Sequence, residues 1–267
     1  MTQSPTPIHE TVREHYAERI KNSASCCGSD ACCSTESSLY PVDLLTTVPS
    51  DISSTSYGCG DPITLASLKP GQTVLDLGSG AGLDCILAAQ KVGETGHVIG
   101  VDMTPEMIER ARVNAKKVNL NNIEFRQGYL ESLPVDSNTV DVIISNCVIN
   151  LSPDKEKVFN EAFRVLAPGG KLAVSDIVTD GELPESIRKS LSAWAGCVAG
   201  AVDAKEYVVM MESVGFTDIS IKPVFFDKET VDTALAGMGG EIDLSSFSRE
   251  DVYKAVYSAK ITAYKPA

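Results

Sequence analysis

Between residues 73 and 176 short, mostly apolar runs alternate with helix-length amphipathic stretches, and this alternation constrains the fold more than any other feature of the chain. The runs 73–77 (TVLDL), 97–102 (HVIGVD), 123–127 (IEFRQ), 140–145 (VDVIIS) and 171–176 (KLAVSD) read as strands, with helices expected near 82–92, 105–117 and 154–166. Strands covered by helices on both faces lose the polar–apolar alternation of half-buried strands and become near-continuous apolar runs. The fold class that follows is α/β, a doubly wound and mostly parallel sheet. Further helices are expected near 184–195 and 203–214. The segments 217–225 and 256–264 are candidate strands of an antiparallel edge, which brings the sheet to seven strands, and 227–255 reads as a helical or loop insertion. Ahead of the sheet, Ile8, Val12, Tyr16 and Ile20 recur every fourth position, so a helix is expected over 8–22. The stretches 23–38 and 47–61 are rich in small and turn-forming residues. The chain therefore divides into an N-terminal helix, Cys-rich arm and loop (1–61), a central α/β domain (62–226) and a C-terminal insertion with an edge strand (227–267).

A chain of 267 residues is long enough for one such domain with appendages. The net charge of −13, from 23 Lys+Arg against 36 Asp+Glu, argues against nucleic acid or an anionic membrane as partner, because phosphate binding requires clustered positive charge. No apolar stretch approaches the length of a membrane span, and the N-terminus is charged rather than signal-like, so a cytoplasmic protein is expected. In that compartment the eight cysteines are expected to be thiols. The three histidines, His9, His15 and His97, form no familiar zinc or triad spacing.

The segment VLDLGSGAGLD at 74–84 carries the first chemistry. Asp76 lies at the end of a strand, and Gly78, Gly80 and Gly82 form the turn into a helix. Glycines there permit positive φ and close approach of a ligand to the backbone, at the end of the sheet where open α/β folds bind ligands. Asp102 ends the next strand, 20 residues beyond Gly82, where a carboxylate can accept both ribose hydroxyls of an adenosine. Each feature alone also fits a packing turn or a helix N-cap; the pair points to an adenosine-bearing cofactor. With DLGSGAG, GVDMTPEMIERAR, GYLESLP, VDVIISN and FRVLAPGGKLAVSDI in order, residues 70–226 resemble the class I S-adenosylmethionine methyltransferases. The resemblance implies that Asp76 and the turn Gly78, Ser79, Gly80 and Gly82 hold the methionine part of S-adenosyl-L-methionine. It implies Asp102 on the ribose, Met103 on the adenine, Leu130 and Glu131 at the adenine edge, and Asn146 facing the methyl donor.

Three cysteines sit where the topology can bring them over the same crevice: Cys59 just before the domain, Cys147 at the end of the fourth strand and Cys197 after the fifth. Three converging thiolates would bind a soft, thiophilic centre, and As(III) is one that keeps a nucleophilic lone pair. Free cysteine is also a common buried hydrophobe, and Cys85 is assigned to that role. Trp194 reads as a hydrophobic wall, Met210 and Met211 as helix core, Glu206 and Glu212 as a solvated face. The motifs YGCGDP, ISNCVINLSPDKEKVFNEAFRVLAPGGKLAVSDI and WAGCVAGA are similar to those of the arsenite methyltransferases. That resemblance implies Cys59, Cys147 and Cys197 as metalloid-binding thiols and Tyr57 as a cofactor neighbour. It implies As(III) or its thiol conjugates as substrate, and re-reduction by a cysteine pair served by a thioredoxin- or glutathione-type reductant. Many members carry one further N-terminal thiol for the redox step; here Cys26, Cys27, Cys32 and Cys33 form two vicinal pairs, and the sequence does not choose among redox, delivery and no role. Two other functions remain open at this point: a methyltransferase acting on carbon or oxygen of a quinone- or sterol-like acceptor, and a non-enzymatic thiol binder of metalloid.

Overall fold

A computed structural model describes residues 5–21, 40–53, 58, 60–181, 200–229, 231–232 and 253–267. In chain order its framing elements are α1 (Pro7–Lys21), α2 (Pro62–Ala66), β1 (Thr73–Leu77), α3 (Leu83–Val92), β2 (His97–Asp102), α4 (Pro105–Lys117), β3 (Ile123–Gln127), β4 (Val140–Asn146), α5 (Lys155–Val165), β5 (Leu166–Thr179), α6 (Ala204–Val214), β6 (Thr217–Val224) and β7 (Val256–Tyr264). The seven strands form one sheet in the order β3-β2-β1-β4-β5-β7-β6. The first five in that order pair in parallel, and β7 lies antiparallel to both β5 and β6. The expected doubly wound fold with an antiparallel edge is what the chain adopts.

The apolar runs have a direct cause. Val74 of β1 packs with Ile86, Leu87, Val98 and Ile108 on one side of the sheet, while Leu75 and Leu77 pack with Ile99, Val101, Ile143 and Phe159 on the other. Successive strand residues point to opposite faces, so a strand roofed on both sides must be apolar at every position. Each such side chain contributes about 2 kcal/mol on burial. Asp61, Asp154 and Asp203 cap α2, α5 and α6, accepting from the backbone N–H of Thr64, Lys157 and Lys205. A cap of this kind is worth about 1 kcal/mol.

The structure departs from the sequence expectation mainly at β5, which spans 166–179 rather than 171–176. Its start pairs with β4 across a bulge, Val140 opposite Leu166 and then Val142 opposite Lys171. Its end pairs with β7 as far as Thr179 opposite Val256. Met211 is buried in the core, Met210 packs against it, and Glu206 and Glu212 are exposed, as expected. The helix expected near 184–195, with Trp194, and most of the 227–255 insertion lie outside the described residues.

Candidate active site

Strand order reverses between β1 and β4: the chain builds outward from β1 through β2 to β3, then returns to place β4 on the other side of β1. The loops leaving neighbouring strands at such a point diverge and open a crevice. The glycine turn leaves β1 there, and Asn146 and Cys147 stand at the end of β4. The crevice is open to solvent and is walled by the turn, Asp102, Met103, Leu130, Glu131 and Cys147, among others.

The turn is built from backbone hydrogen bonds. The N–H groups of Gly78 and Ser79 both donate to the carbonyl of Val101, at 2.8 and 3.0 Å. Gly78, Gly80 and Gly82 all have positive φ, at 69°, 49° and 91°. Asp102 ties the turn to the end of β2: one carboxylate oxygen accepts from Gly80 N–H at 2.9 Å and the other from Thr104 N–H at 2.8 Å. Burial pushes its carboxyl above the usual range, and these two N–H groups pull it partly back. Each oxygen keeps a further lone pair for a ligand hydroxyl. Ser79 Oγ is buried and finds no hydrogen-bond partner among the described residues, although Ser79 lines the crevice. Such an orphaned hydroxyl is expected to be satisfied by a ligand.

Beneath the turn lies a group of acids that sequence reasoning resolved only in part. Asp76 is not in the crevice wall; its carboxylate accepts from Cys85 Sγ at 3.2 Å, so Cys85 fills the core and also partners an acid. Burial, followed by repulsion from Asp84, holds Asp76 well above the usual carboxylate range. Asp84, in the first turn of α3, does line the crevice. It accepts from Tyr40 Oη at 2.8 Å and Asn146 Nδ2 at 3.2 Å, and burial pushes it up to about 6. The sequence reading passed over Asp84 and Tyr40. A carboxylate directly after a glycine turn was the available signal for Asp84; Tyr40 offered none.

α1 roofs the crevice with His9, Val12 and Tyr16. His9 is 3% exposed, and its Nε2 lies 3.0 Å from Glu131 Oε1, which also accepts from the Ser152 hydroxyl. Burial pushes Glu131 up, but the hydrogen bonds from His9 and Ser152 outweigh it and leave the carboxyl below its ordinary value. Leu130 and Glu131 thus both reach the crevice, with Glu131 engaged by the roof. His9 was not singled out in sequence, because its partner lies 122 residues away.

Cys147 lines the crevice, is 4% exposed and has φ of +57°. That conformation is uncommon for a non-glycine residue and costs about 1–3 kcal/mol. Its N–H donates to the Ser175 carbonyl at 2.8 Å. Its sulfur is disulfide-bonded, which departs from the thiol expected of every cysteine, whereas Cys85 is a free thiol as expected. Cys59, Cys197 and Tyr57 lie outside the described residues, as do Cys26, Cys27, Cys32 and Cys33. Residues flanking Cys59 and Cys197 are described. Gly58 lines the crevice, Gly60 is bonded to Asn146, and Ala201, four residues beyond Cys197, packs in one cluster with Cys147, Val12 and Leu151.

Fold and site together define a methyltransferase domain: residues 68–215 match the family model of that description. The arsenite methyltransferase of Halobacterium salinarum is 40% identical over 279 aligned residues, which cover 99% of this chain and 68% of that protein. The arsenite methyltransferase of Aquipseudomonas alcaligenes is 39% identical, with 79% of this chain and 62% of its own length covered. The arsenic(III) S-adenosylmethionine methyltransferase of Chlamydomonas reinhardtii has a similar structure, with a TM-score of 0.67 and 35% identity over 85% of this chain and 73% of that one. The chain belongs to the arsenite methyltransferase family. It spans between three-fifths and about two-thirds of the length of the two sequence relatives, 62% and 68%. No described helix is long and apolar enough to cross a membrane.

Proposed function

We propose that the chain transfers methyl groups from S-adenosyl-L-methionine to trivalent arsenic held by Cys59, Cys147 and Cys197. The observation that carries this reading is Cys147: a buried cysteine in the wall of the switch-point crevice, packed in one cluster with Ala201, four residues beyond Cys197. S-adenosyl-L-methionine, when bound, supplies a methyl group already activated as a sulfonium. Asp102 would accept the ribose hydroxyls, and the glycine turn with Ser79 Oγ would hold the methionine end. Asp84 places negative charge beside a cationic ligand.

A thioredoxin- or glutathione-type thiol pair first reduces the Cys147 disulfide to two thiols and is itself oxidised to a disulfide; arsenic then arrives as a thiol conjugate and exchanges onto the three site cysteines. Each exchange replaces one As–S bond by another, and the cysteine proton leaves with the departing thiol. Thiolate is the binding form. The arsenic lone pair then forms the As–C bond while the methyl–sulfur bond breaks, its electron pair remaining on S-adenosylhomocysteine. The protein aligns the two centres and excludes water, which is where such a transfer gains most of its rate. Arsenic is formally raised to As(V). A cysteine pair oxidised to a disulfide returns two electrons and releases two protons, and a thioredoxin- or glutathione-type reductant reopens that disulfide.

Purified protein incubated with arsenite, S-adenosylmethionine and a thiol should yield methylated arsenic, separable by chromatography with element-specific detection. Cofactor binding without any arsenic product would sink the assignment in favour of another methyl acceptor.

A further inference from the structure

We propose that Asn146 is a positioning residue that locks the peptide bearing Cys59 beside Cys147 and so sets the spacing of two of the arsenic-binding thiols; this rests on the three-thiol reading above. The side-chain amide of Asn146 makes a two-bond pairing with the backbone of Gly60. Its Oδ1 accepts from Gly60 N–H at 3.1 Å, and its Nδ2 donates to the Gly60 carbonyl at 2.9 Å. Gly60 follows Cys59 directly, and Asn146 precedes Cys147 directly. One side chain therefore ties together the two backbones next to the two sulfurs.

The amide is itself oriented. Nδ2 also reaches Tyr40 Oη at 3.0 Å and Asp84 Oδ2 at 3.2 Å, while the Tyr40 hydroxyl donates to the other Asp84 oxygen at 2.8 Å. An amide has two N–H donors and a carbonyl acceptor, and Asp84 and Tyr40 accept only from its NH₂ side. A flipped amide would aim its oxygen at the Asp84 carboxylate and at the Gly60 carbonyl, so the orientation that grips Gly60 is the one the acid selects.

The glycines on either side of Cys59 make the grip possible. A Cβ at position 58 would overlap the Asn146 amide, and one at position 60 would fall 2.5 Å from Ser175 Cβ. Ser175 sits opposite Asn146 in the β4–β5 register, and its carbonyl accepts the Cys147 N–H. Gly60, Asn146 and Ser175 thus stack in one layer, and glycine at 58 and at 60 is what lets the backbone approach it this closely. The role assigned here lies between the thiols, beyond the expectation that Asn146 faces the methyl donor.

The test compares wild type with Asn146→Ala and Gly60→Ala, measuring arsenite affinity by equilibrium dialysis and S-adenosylmethionine affinity by calorimetry. Both variants should bind arsenite at least tenfold more weakly, and Gly60→Ala, which leaves the Asn146 side chain in place, should do so while cofactor affinity changes less than threefold. In a Cys197→Ser background, diamide cross-linking of Cys59 to Cys147, mapped by mass spectrometry, should slow about tenfold on adding Asn146→Ala. Unchanged arsenite affinity and cross-linking, or parallel losses of cofactor and arsenite in Gly60→Ala, would overturn the proposal. If wild type takes up no arsenite, the three-thiol reading itself fails. The cross-linking rate then decides on Asn146 alone, a slowed rate supporting the role and an unchanged one ending it.

Discussion

At the scale of the residue, the site depends on carboxylates whose ionisation is opposed by burial. Asp102 staples Gly80 and Thr104, and in the proposed function it also presents its remaining lone pairs to the ribose. Asp102→Ala removes both. Hydrogen bonds to a charged group are worth about 1.5–3 kcal/mol, so cofactor affinity should fall roughly 10- to 100-fold by calorimetry; an unchanged affinity would remove Asp102 from the cofactor. Asp84 carries a pH signature. Its carboxyl is raised to about 6, so it is largely neutral at pH 5 and anionic at pH 7. A cationic cofactor is attracted to the anion. Affinity for S-adenosylmethionine should therefore rise as pH increases through about 6, and Asp84→Asn should flatten that rise. The same slope in wild type and variant would place the titrating group elsewhere. Asp102 was legible in sequence because it ends a strand at a family-like interval from the turn. Asp84 was not marked, since one acid in a first helical turn looks like ordinary complementing of the helix dipole.

At the scale of the element, α1 is the least expected participant. Its fourfold apolar spacing announced a helix over 8–22, and the structure has it at 7–21. Its role as a roof was hidden, because the contact that seats it, His9 to Glu131, joins distant parts of the chain. His9→Ala leaves Glu131 buried with Ser152 as its remaining side-chain partner. Stability to urea should fall by about 1–3 kcal/mol, and cofactor affinity should weaken as Val12 and Tyr16 loosen. Unaltered stability and binding would show α1 to be a bystander. The strands were more legible than the roof: β1, β2, β3 and β7 begin and end where the apolar runs do. β5 was not fully legible: the apolar run placed its start at 171, whereas the strand begins at Leu166 and passes through Pro168, Gly169 and Gly170 by bulging against β4.

At the scale of the whole molecule, one topological fact organises the rest. The reversal of strand order beside β1 brings the glycine turn and the Asn146–Cys147 corner to one crevice, and the chain on either side of the sheet then contributes α1 above and the flanks of Cys59 and Cys197 beside it. Sequence spacing could nominate three cysteines far apart along the chain, but a meeting of the three depends on long-range packing that no local pattern encodes. The most direct measurement is X-ray absorption at the arsenic edge on protein loaded with one equivalent of arsenite. Three sulfur neighbours around arsenic in wild type, reduced to two in Cys147→Ser, is the expected result. An arsenic environment dominated by oxygen, or one unchanged by Cys147→Ser, would contradict the account.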